Sequence, residues 1–388
     1  MSNPVLDFKV SIVAPSRIGK TSLVSAILQD TEKLLRGTPL NIRAKDSATG
    51  SRLNQHKNQL SGALRVSKYF NGGTVSGTQA PFEFNLLLSG AEPGTQDLNI
   101  KLLDFPGGWL PALQYNEGTK EQRECAAFVK DSTVLLLAVD ASMIMESTGN
   151  EEKQAIDGVL KISETDQIVK EWAKAHNNMP TSILICPVKC ESYFSDNGGD
   201  QDRSAELYAK VKEVYQGIIE TAFEETNGNA TILYIPVDTI GFVEVKRAQW
   251  SGLDTEDPIF KAEFMRRGTP DQRARTDGKL SIMGAGDVLL AVARQMFYYH
   301  QKQQLNRQDT LADRAQRAED KAKDKDFFQH IYSLFGGTTD NEKKAQEAYQ
   351  KLGEALGETR STEGLIEILA NVDFGKRVKV CVNHEGVL

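Results

Sequence analysis

Over its first 240 residues the chain alternates short apolar runs with amphipathic stretches. That alternation predicts an α/β domain, a mostly parallel sheet with helices on both faces. Six strands rich in Val, Ile, Leu or Phe, each stopped by Pro, Gly or Asp, are predicted over 9–13, 82–88, 98–103, 133–139, 182–188 and 231–237. Residues 89–97 are turn-rich and too short for a helical crossover, so the second and third strands should pair as an antiparallel hairpin. One edge of the six-stranded sheet is then antiparallel.

A helix from Gly19 to about Leu28 follows the first strand, and a polar insertion near 32–73 carries an extra helix over 47–64. A second insertion near 242–278 mixes Arg, Asp and Gly without clear periodicity. A helix over 286–304, with Val288, Leu289, Val292, Ala293, Met296 and Phe297, closes a domain of residues 1–305. Residues 306–388 form a helical C-terminal extension. Its segment 307–325 alternates charge as a solvated helix does. Phe327, Phe328, Ile331, Tyr332 and Phe335 then fall on helical spacing, an apolar face suited to docking on the body. Residues 342–356 read as a further helix and 377–382 as a short terminal strand.

Composition narrows the partners. Hydrophobic residues at 40% and charged residues at 26% suit a soluble globular protein and exclude collagenous or disordered chains. Lys and Arg total 46 against 53 Asp and Glu, a net charge of −7 that argues against nucleic acid or a polybasic membrane tether. Arg266, Arg267, Arg273 and Arg275 form a local cluster, read as solvated. No run approaches the length of a membrane span, and residues 1–7 lack a signal-peptide layout. Cys125, Cys186, Cys190 and Cys381 make no disulfide framework, so a cytoplasmic location is expected. Cys186 and Cys190 lack the partners of a zinc site and are expected to be buried.

The strongest chemical signal is Ala14-Pro15-Ser16-Arg17-Ile18-Gly19-Lys20-Thr21-Ser22, directly after a predicted strand and before an apolar-periodic helix. Phosphate oxygens need backbone N–H donors at a helix N-terminus, a mobile ammonium and a hydroxyl on Mg²⁺. Ser16, Arg17, Ile18, Gly19, Lys20, Thr21 and Ser22 supply that set as a phosphate-binding loop. Ala14 stands where Gly is usual, a small departure in size. Asp104-Phe105-Pro106-Gly107 ends the third strand, where Asp104 can hold Mg²⁺ through water and the Gly107 N–H can reach a γ-phosphate. Lys189-Cys190-Glu191 ends the fifth strand: Glu191 can accept from the two N–H groups of guanine while the Lys189 stem lies along the base. Val237-Asp238-Thr239-Ile240-Gly241 follows the sixth, with the Thr239 N–H set to meet the guanine carbonyl oxygen. All four elements fall at the carboxyl ends of strands, where open α/β sheets bind ligands.

With these residues in view, the chain resembles the Ras-like and translation-factor class of P-loop GTPases over about 5–240, with 280–305 as the closing helix; a bacterial branch of that class is expected. The loop with Arg17 before Ile18-Gly19-Lys20-Thr21 is also similar to that of guanylate-binding proteins and atlastins. The resemblance implies a GTP/GDP switch with Mg²⁺ as cofactor, acting through an effector protein. Val188 and Glu191 depart from the usual Asn or Thr, Lys, any residue, Asp pattern. In this class Lys20 and Mg²⁺ would hold the phosphates, and Thr21, Thr78 and Asp104 the metal. Thr78 is preferred over Thr74 as the switch hydroxyl because it lies nearer the strand at 82–88. Gly108 stands where a Gln often orients water, which implies slow intrinsic hydrolysis. Arg17 could supply the missing charge in cis, making Lys20, Arg17 and Thr78 the catalytic candidates. Trp109 and Leu110 read as packed core. Two alternatives stay open: a nucleotide-binding scaffold with negligible hydrolysis, and an ATPase of the same loop class. A homo-oligomer through the aromatic cluster or across the nucleotide face is compatible with the chain.

Overall fold

The computed structural model describes residues 5–35, 41–66, 69–71, 78–89, 97–114, 118–177, 179–197, 199–255, 257–267, 280–306 and 374–382. In chain order the strands are β1 Val5–Val13, β2 Asn41–Ala44, β3 Tyr69–Asn71, β4 Phe82–Ser89, β5 Asp97–Asp104, β6 Val134–Asp140, β7 Thr181–Val188, β8 Ala230–Tyr234, β9 Val243–Ser251, β10 Ile259–Arg266 and β11 Lys379–Val382. The helices are α1 Lys20–Leu34, α2 Ser47–Val66, α3 Leu110–Gln114, α4 Lys120–Asp131, α5 Ala141–Glu146, α6 Asn150–Leu160, α7 Ile162–Ala175, α8 Ser204–Glu225 and α9 Ala285–Asn306.

The strands β6 (VLLLAVD) and β7 (TSILICPV) are buried at every position, as the interior of a parallel sheet covered on both faces requires. β1 runs parallel to β5 on one side and β6 on the other; β6, β7 and β8 continue in parallel. α1 packs on α2 and α9, while α7 packs on α3, α4 and α8. Both groups close over one apolar core that runs from Phe8 and Val10 through Leu135 and Ile183 to Val288 and Met296. Five parallel strands therefore end along one edge, and the chain order of their loops decides which side chains meet there.

The architecture is α/β with a mostly parallel central sheet, but the sheet has eight strands where six were expected, in the order β11-β8-β7-β6-β1-β5-β4-β2. β4 and β5 form the antiparallel hairpin, yet β4 is not the edge: β2 pairs with it in turn, antiparallel. β11 caps the opposite edge, antiparallel to β8. β2 is four residues, NIRA, with one buried position, too short and polar to stand out from its insertion. β11 falls within the terminal strand expected over 377–382, and its pairing with β8 is what adds it to the sheet.

The segment without periodicity is also ordered. β9 and β10 pair as an antiparallel hairpin, joined by β3 into a three-stranded sheet, so both insertions contribute to one unit. A bulge between Glu263 and Phe264 interrupts the strand register, which breaks the alternation a periodicity reading relies on. Leu64, Val243, Ala262 and Phe264 are buried beneath it. β8 stops at Tyr234 before Pro236, although Ile235 and Val237 still donate to the Ile185 and Pro187 carbonyls of β7. The helix after the loop runs past Leu28 to Leu34, and α2 runs past 64 to Val66. Leu110 is fully buried and Trp109 packs on the core. The expected elements over 307–325, 327–335 and 342–356, with Thr74, Arg273 and Arg275, lie outside the described residues. No described helix is long and apolar enough to cross a membrane.

Candidate functional site

α1 begins at Lys20, with Gly19 as its N-cap at φ 121° and no side chain closing the helix end. The first intrahelical bond runs from Leu23 N to Gly19 O, which leaves the N–H groups of Lys20, Thr21 and Ser22 without an acceptor inside the helix. Gly19 is required twice over: its φ disfavours any side chain, and a Cβ there would come within 3.3 Å of Val188 Cγ2. Ser16 and Arg17 are exposed, and Arg17 holds a positive φ of 67° while Ile18 is buried. The Lys20 ammonium lies beneath this loop, donating to the carbonyls of Ala14 and Pro15 at 2.9 Å each.

Asp104, at the carboxyl end of β5, is fully buried beside Lys20. Its Oδ2 accepts from Thr21 Oγ1 at 2.9 Å and from Thr78 Oγ1 at 2.8 Å; the two hydroxyls lie 3.4 Å apart. Its Oδ1 is buried with no protein partner among the described residues. Burial pushes the Asp104 carboxyl up, opposed by Lys20, Thr78 and Thr21, and burial pulls the Lys20 ammonium down to about 8 against the attraction of Asp104. Among the described residues no cluster of three or more His, Cys, Asp or Glu gathers as a metal site. Two hydroxyls and one carboxylate with an unsatisfied oxygen are nevertheless the hard-donor chemistry that Mg²⁺ prefers. Gly107 closes the other side of the loop: a Cβ there would fall 2.0 Å from Ser16 N, so backbone meets backbone. Gly108, the next residue, is exposed.

The insertion helix α2 reaches this site. His56 is buried and its Nε2 lies 2.9 Å from Ser22 Oγ; burial, with Arg52 nearby, lowers its pKa to about 4, so the ring is neutral. The Arg52 guanidinium lies 4.9 Å from the centroid of the Phe82 ring, and Phe82 stands opposite Asp104 in the β4–β5 ladder. Neither residue stood out in the sequence, where α2 has no motif.

At the ends of β6, β7 and β8 the arrangement differs. Lys189, at a positive φ of 57°, donates to the Arg17 carbonyl at 3.2 Å and pairs with Asp140, tying the β7 loop to the phosphate-type loop. Asp140 is buried at the end of β6 and also caps α5 through Met143 N. It was missed from sequence, where the only signal was an Asp closing an apolar run. Glu191 is buried, and its Oε1 accepts from the N–H groups of Thr239 and Ile240 at 3.0 Å each, with Gly241 N at 3.4 Å. The Thr239 N–H, expected to face a base, thus donates to Glu191. Burial and the neighbouring Asp238 push the Glu191 carboxyl up, offset by the backbone N–H groups of Glu191 itself, Ile240 and Gly241. Asp238 is fully buried: its Oδ2 accepts from Asn197 Nδ2 at 2.9 Å and Arg377 Nη1 at 2.7 Å, its Oδ1 from Cys190 Sγ at 3.2 Å. Cys186 and Cys190 are free, buried thiols whose pKa burial raises.

The structure therefore brings Lys20, Thr21, Thr78, Asp104 and Gly107 together, joins Lys189 to Arg17, and gathers Glu191, Thr239 and Asp238 into a separate cluster. In comparisons with known proteins, no family model and no curated protein matches the chain.

Proposed function

We propose that the chain is a P-loop nucleotide switch that binds Mg²⁺ and GTP and hydrolyses the triphosphate slowly, acting through a protein partner. The observation that carries the reading is the convergence of Thr21 and Thr78 on Asp104 Oδ2, with Oδ1 buried and open, beside Lys20 and the free N–H groups that start α1. A parallel sheet with an antiparallel β4–β5 hairpin is compatible with the P-loop GTPase fold named by the motifs. Thr21, Thr78 and Asp104 would hold Mg²⁺, whose charge would offset that of the phosphates. The N–H groups of the loop and of Lys20, Thr21 and Ser22 would bind phosphate oxygens, and Lys20 would exchange its carbonyl partners for the β and γ groups.

Thr78 and Gly107 are the switching contacts, because each joins a separate segment to the loop and each would respond to the γ-phosphate. Gly108 has no side chain to orient water, so the unaided rate is slow. Arg17, exposed at the loop's tip, is the nearest cation in sequence to supply transition-state charge, a contribution worth roughly 10³–10⁵ in rate when such a group is in place.

Base choice has a second reading, favoured by one observation. Glu191 Oε1 already holds the amides of Thr239 and Ile240, so the guanine-reading pair is engaged internally and adenine nucleotides could enter as well. Titrating labelled GDP and ADP with and without Mg²⁺, alongside phosphate release from GTP and ATP, tests both. Mg²⁺-dependent binding with multiple turnover supports the switch, and binding without turnover leaves a scaffold. Equal affinity for the two nucleotides moves the assignment to the base-permissive reading. Absence of binding to either removes the proposal.

A further inference from the structure

The described part of the C-terminal extension, residues 374–382, is built into the main body. Phe374 lies under the Arg294 guanidinium, 4.1 Å from the ring centroid; Gly375 N donates to Asp287 Oδ1 at 2.8 Å; β11 completes the sheet on β8. Between these anchors Arg377 reaches inward, its side chain 11% exposed. Its Nη1 donates to Asp238 Oδ2 at 2.7 Å, its Nε to Asp196 Oδ2 at 3.2 Å, and its Nη2 also to Asp196. The guanidinium stacks 4.0 Å from the centroid of Phe194.

Those partners come from two loops. Phe194 and Asp196 follow directly on the Lys189–Glu191 element, and Asp238 opens the turn whose Thr239 and Ile240 amides bind Glu191. One guanidinium therefore bridges both loops, beside the direct Asn197–Asp238 and Glu191–Thr239 bonds, at the end of the sheet where a base would lie. Resting on the nucleotide reading above, we propose that Arg377 is a positioning residue for the base side of the nucleotide site, and that the C-terminal segment is an integral part of that site.

The chemistry selects arginine. Asp238 is buried without access to water, so its charge needs a partner that is itself buried; removing that partner leaves an uncompensated carboxylate. The planar fork serves Asp238 and Asp196 from different nitrogens while its face covers Phe194, a geometry a lysine ammonium cannot reproduce. These contacts of Arg377 fall on Asp196, Asp238, Met283 and Phe194, away from Lys20, Thr21, Thr78 and Asp104. Its influence is thus directional: it acts on the nucleoside and leaves the phosphates alone. The extension thereby gains a route to nucleotide affinity that does not pass through either switching contact.

The experiment compares two ligands on the full chain by calorimetry, Mg²⁺-GDP and Mg²⁺-pyrophosphate. Pyrophosphate reports the phosphate side alone. Arg377→Gln is expected to weaken GDP about tenfold or more, through faster dissociation, and pyrophosphate by less than about twofold. Arg377→Lys should recover only part of the loss. Asp196→Asn changes an exposed partner, keeps the fold, and should weaken GDP by about threefold with pyrophosphate unchanged. If Arg377→Gln does not fold, the other two variants decide. Equal losses for both ligands, or no loss in Arg377→Lys and Asp196→Asn, would show a fold clamp only and overturn the proposal. Wild-type protein that binds neither ligand would remove the nucleotide reading itself, a distinct result seen before any variant is made.

Discussion

Two ends of the same sheet edge are built in opposite ways. At the β1–β5 end, Lys20, Thr21, Thr78 and Asp104 point toward one place and leave a carboxylate oxygen unsatisfied. At the β7–β8 end, Glu191 is paired with Thr239 and Asp238 with Arg377, and an unsatisfied atom beside them is an amide oxygen, Asn197 Oδ1, in place of a carboxylate. A buried polar atom without a partner is costly, and a ligand or ion that satisfies it is one reason for a protein to retain it. A closed network stiffens the loops that carry it. The proposed phosphate end is therefore primed for a ligand, while the proposed base end is primed for shape.

The largest effect should come from breaking the open end. Lys20→Ala removes the ammonium from beside Asp104, and a charge-assisted bond to phosphate is worth roughly 2–3 kcal/mol. Affinity for Mg²⁺-GTP should fall about a hundredfold and turnover should vanish, measured by labelled-nucleotide titration and phosphate release. The fold should persist, because Asp104 already sits above the usual carboxylate range and can take up a proton once its neighbour is gone. An unchanged affinity would mean that phosphates do not bind at this loop.

Next in size is Gly107→Ala. Its added Cβ would overlap Ser16 N and the Pro15 carbonyl carbon, so the loop or the β5 turn must shift, at a cost of roughly 1–3 kcal/mol. Both the melting temperature and GTP hydrolysis should drop, hydrolysis further, since the displaced backbone belongs to the phosphate end. Gly108→Ala is the control: nothing lies near its Cβ, and both readouts should hold.

How far the sequence reveals each end follows from the same contrast. The open end is written in contiguous residues, Gly19-Lys20-Thr21 and Asp104 to Gly107, because strand-end loops of a parallel sheet place short motifs directly at the edge. The central strands were legible for a related reason: burial on both faces leaves unbroken apolar runs such as VLLLAVD. What escaped notice depends on long-range partners. Arg377 meets Asp238 from 139 residues away, His56 finds Ser22 from an unmarked helix, and β2 exists only by pairing with β4. The β9–β10 hairpin was hidden by its bulge. No local pattern encodes such contacts.

A sharper cut at the closed end is Glu191→Gln. The Gln carbonyl keeps an acceptor for Thr239 and Ile240 and removes a carboxylate whose charged form burial and Asp238 disfavour. Stability should hold or rise near pH 7 in denaturant titrations, with the ratio of GTP to ATP affinity changed by less than about tenfold. A larger change in that ratio, with stability intact, would return Glu191 to the role of guanine acceptor.

The smallest effects separate two anchors by their response to acid. His56, which holds the first turn of α1, titrates at about 4 when folded against about 6.5 when free, because burial disfavours its charged form. The folded state then binds fewer protons than the unfolded one, so its contribution is complete above 6.5 and is lost as pH falls toward 4. Asp287, which holds Gly375 and so the C-terminal segment, is shifted the other way, to about 6, by burial opposed by the Gly375 N–H. Its folded state binds more protons, so stability is greatest below about 3.8 and declines as pH rises through 6. Asp287→Asn keeps an acceptor for the Gly375 N–H and should match wild type near pH 4. By pH 7 it should be more stable by on the order of 1 kcal/mol, once partial solvent access is allowed for. His56→Gln should show the reverse trend, a deficit at pH 7 that closes toward pH 4. Thermal melts of the three proteins across that range read both trends together, and parallel curves would mean that neither anchor titrates as its burial dictates.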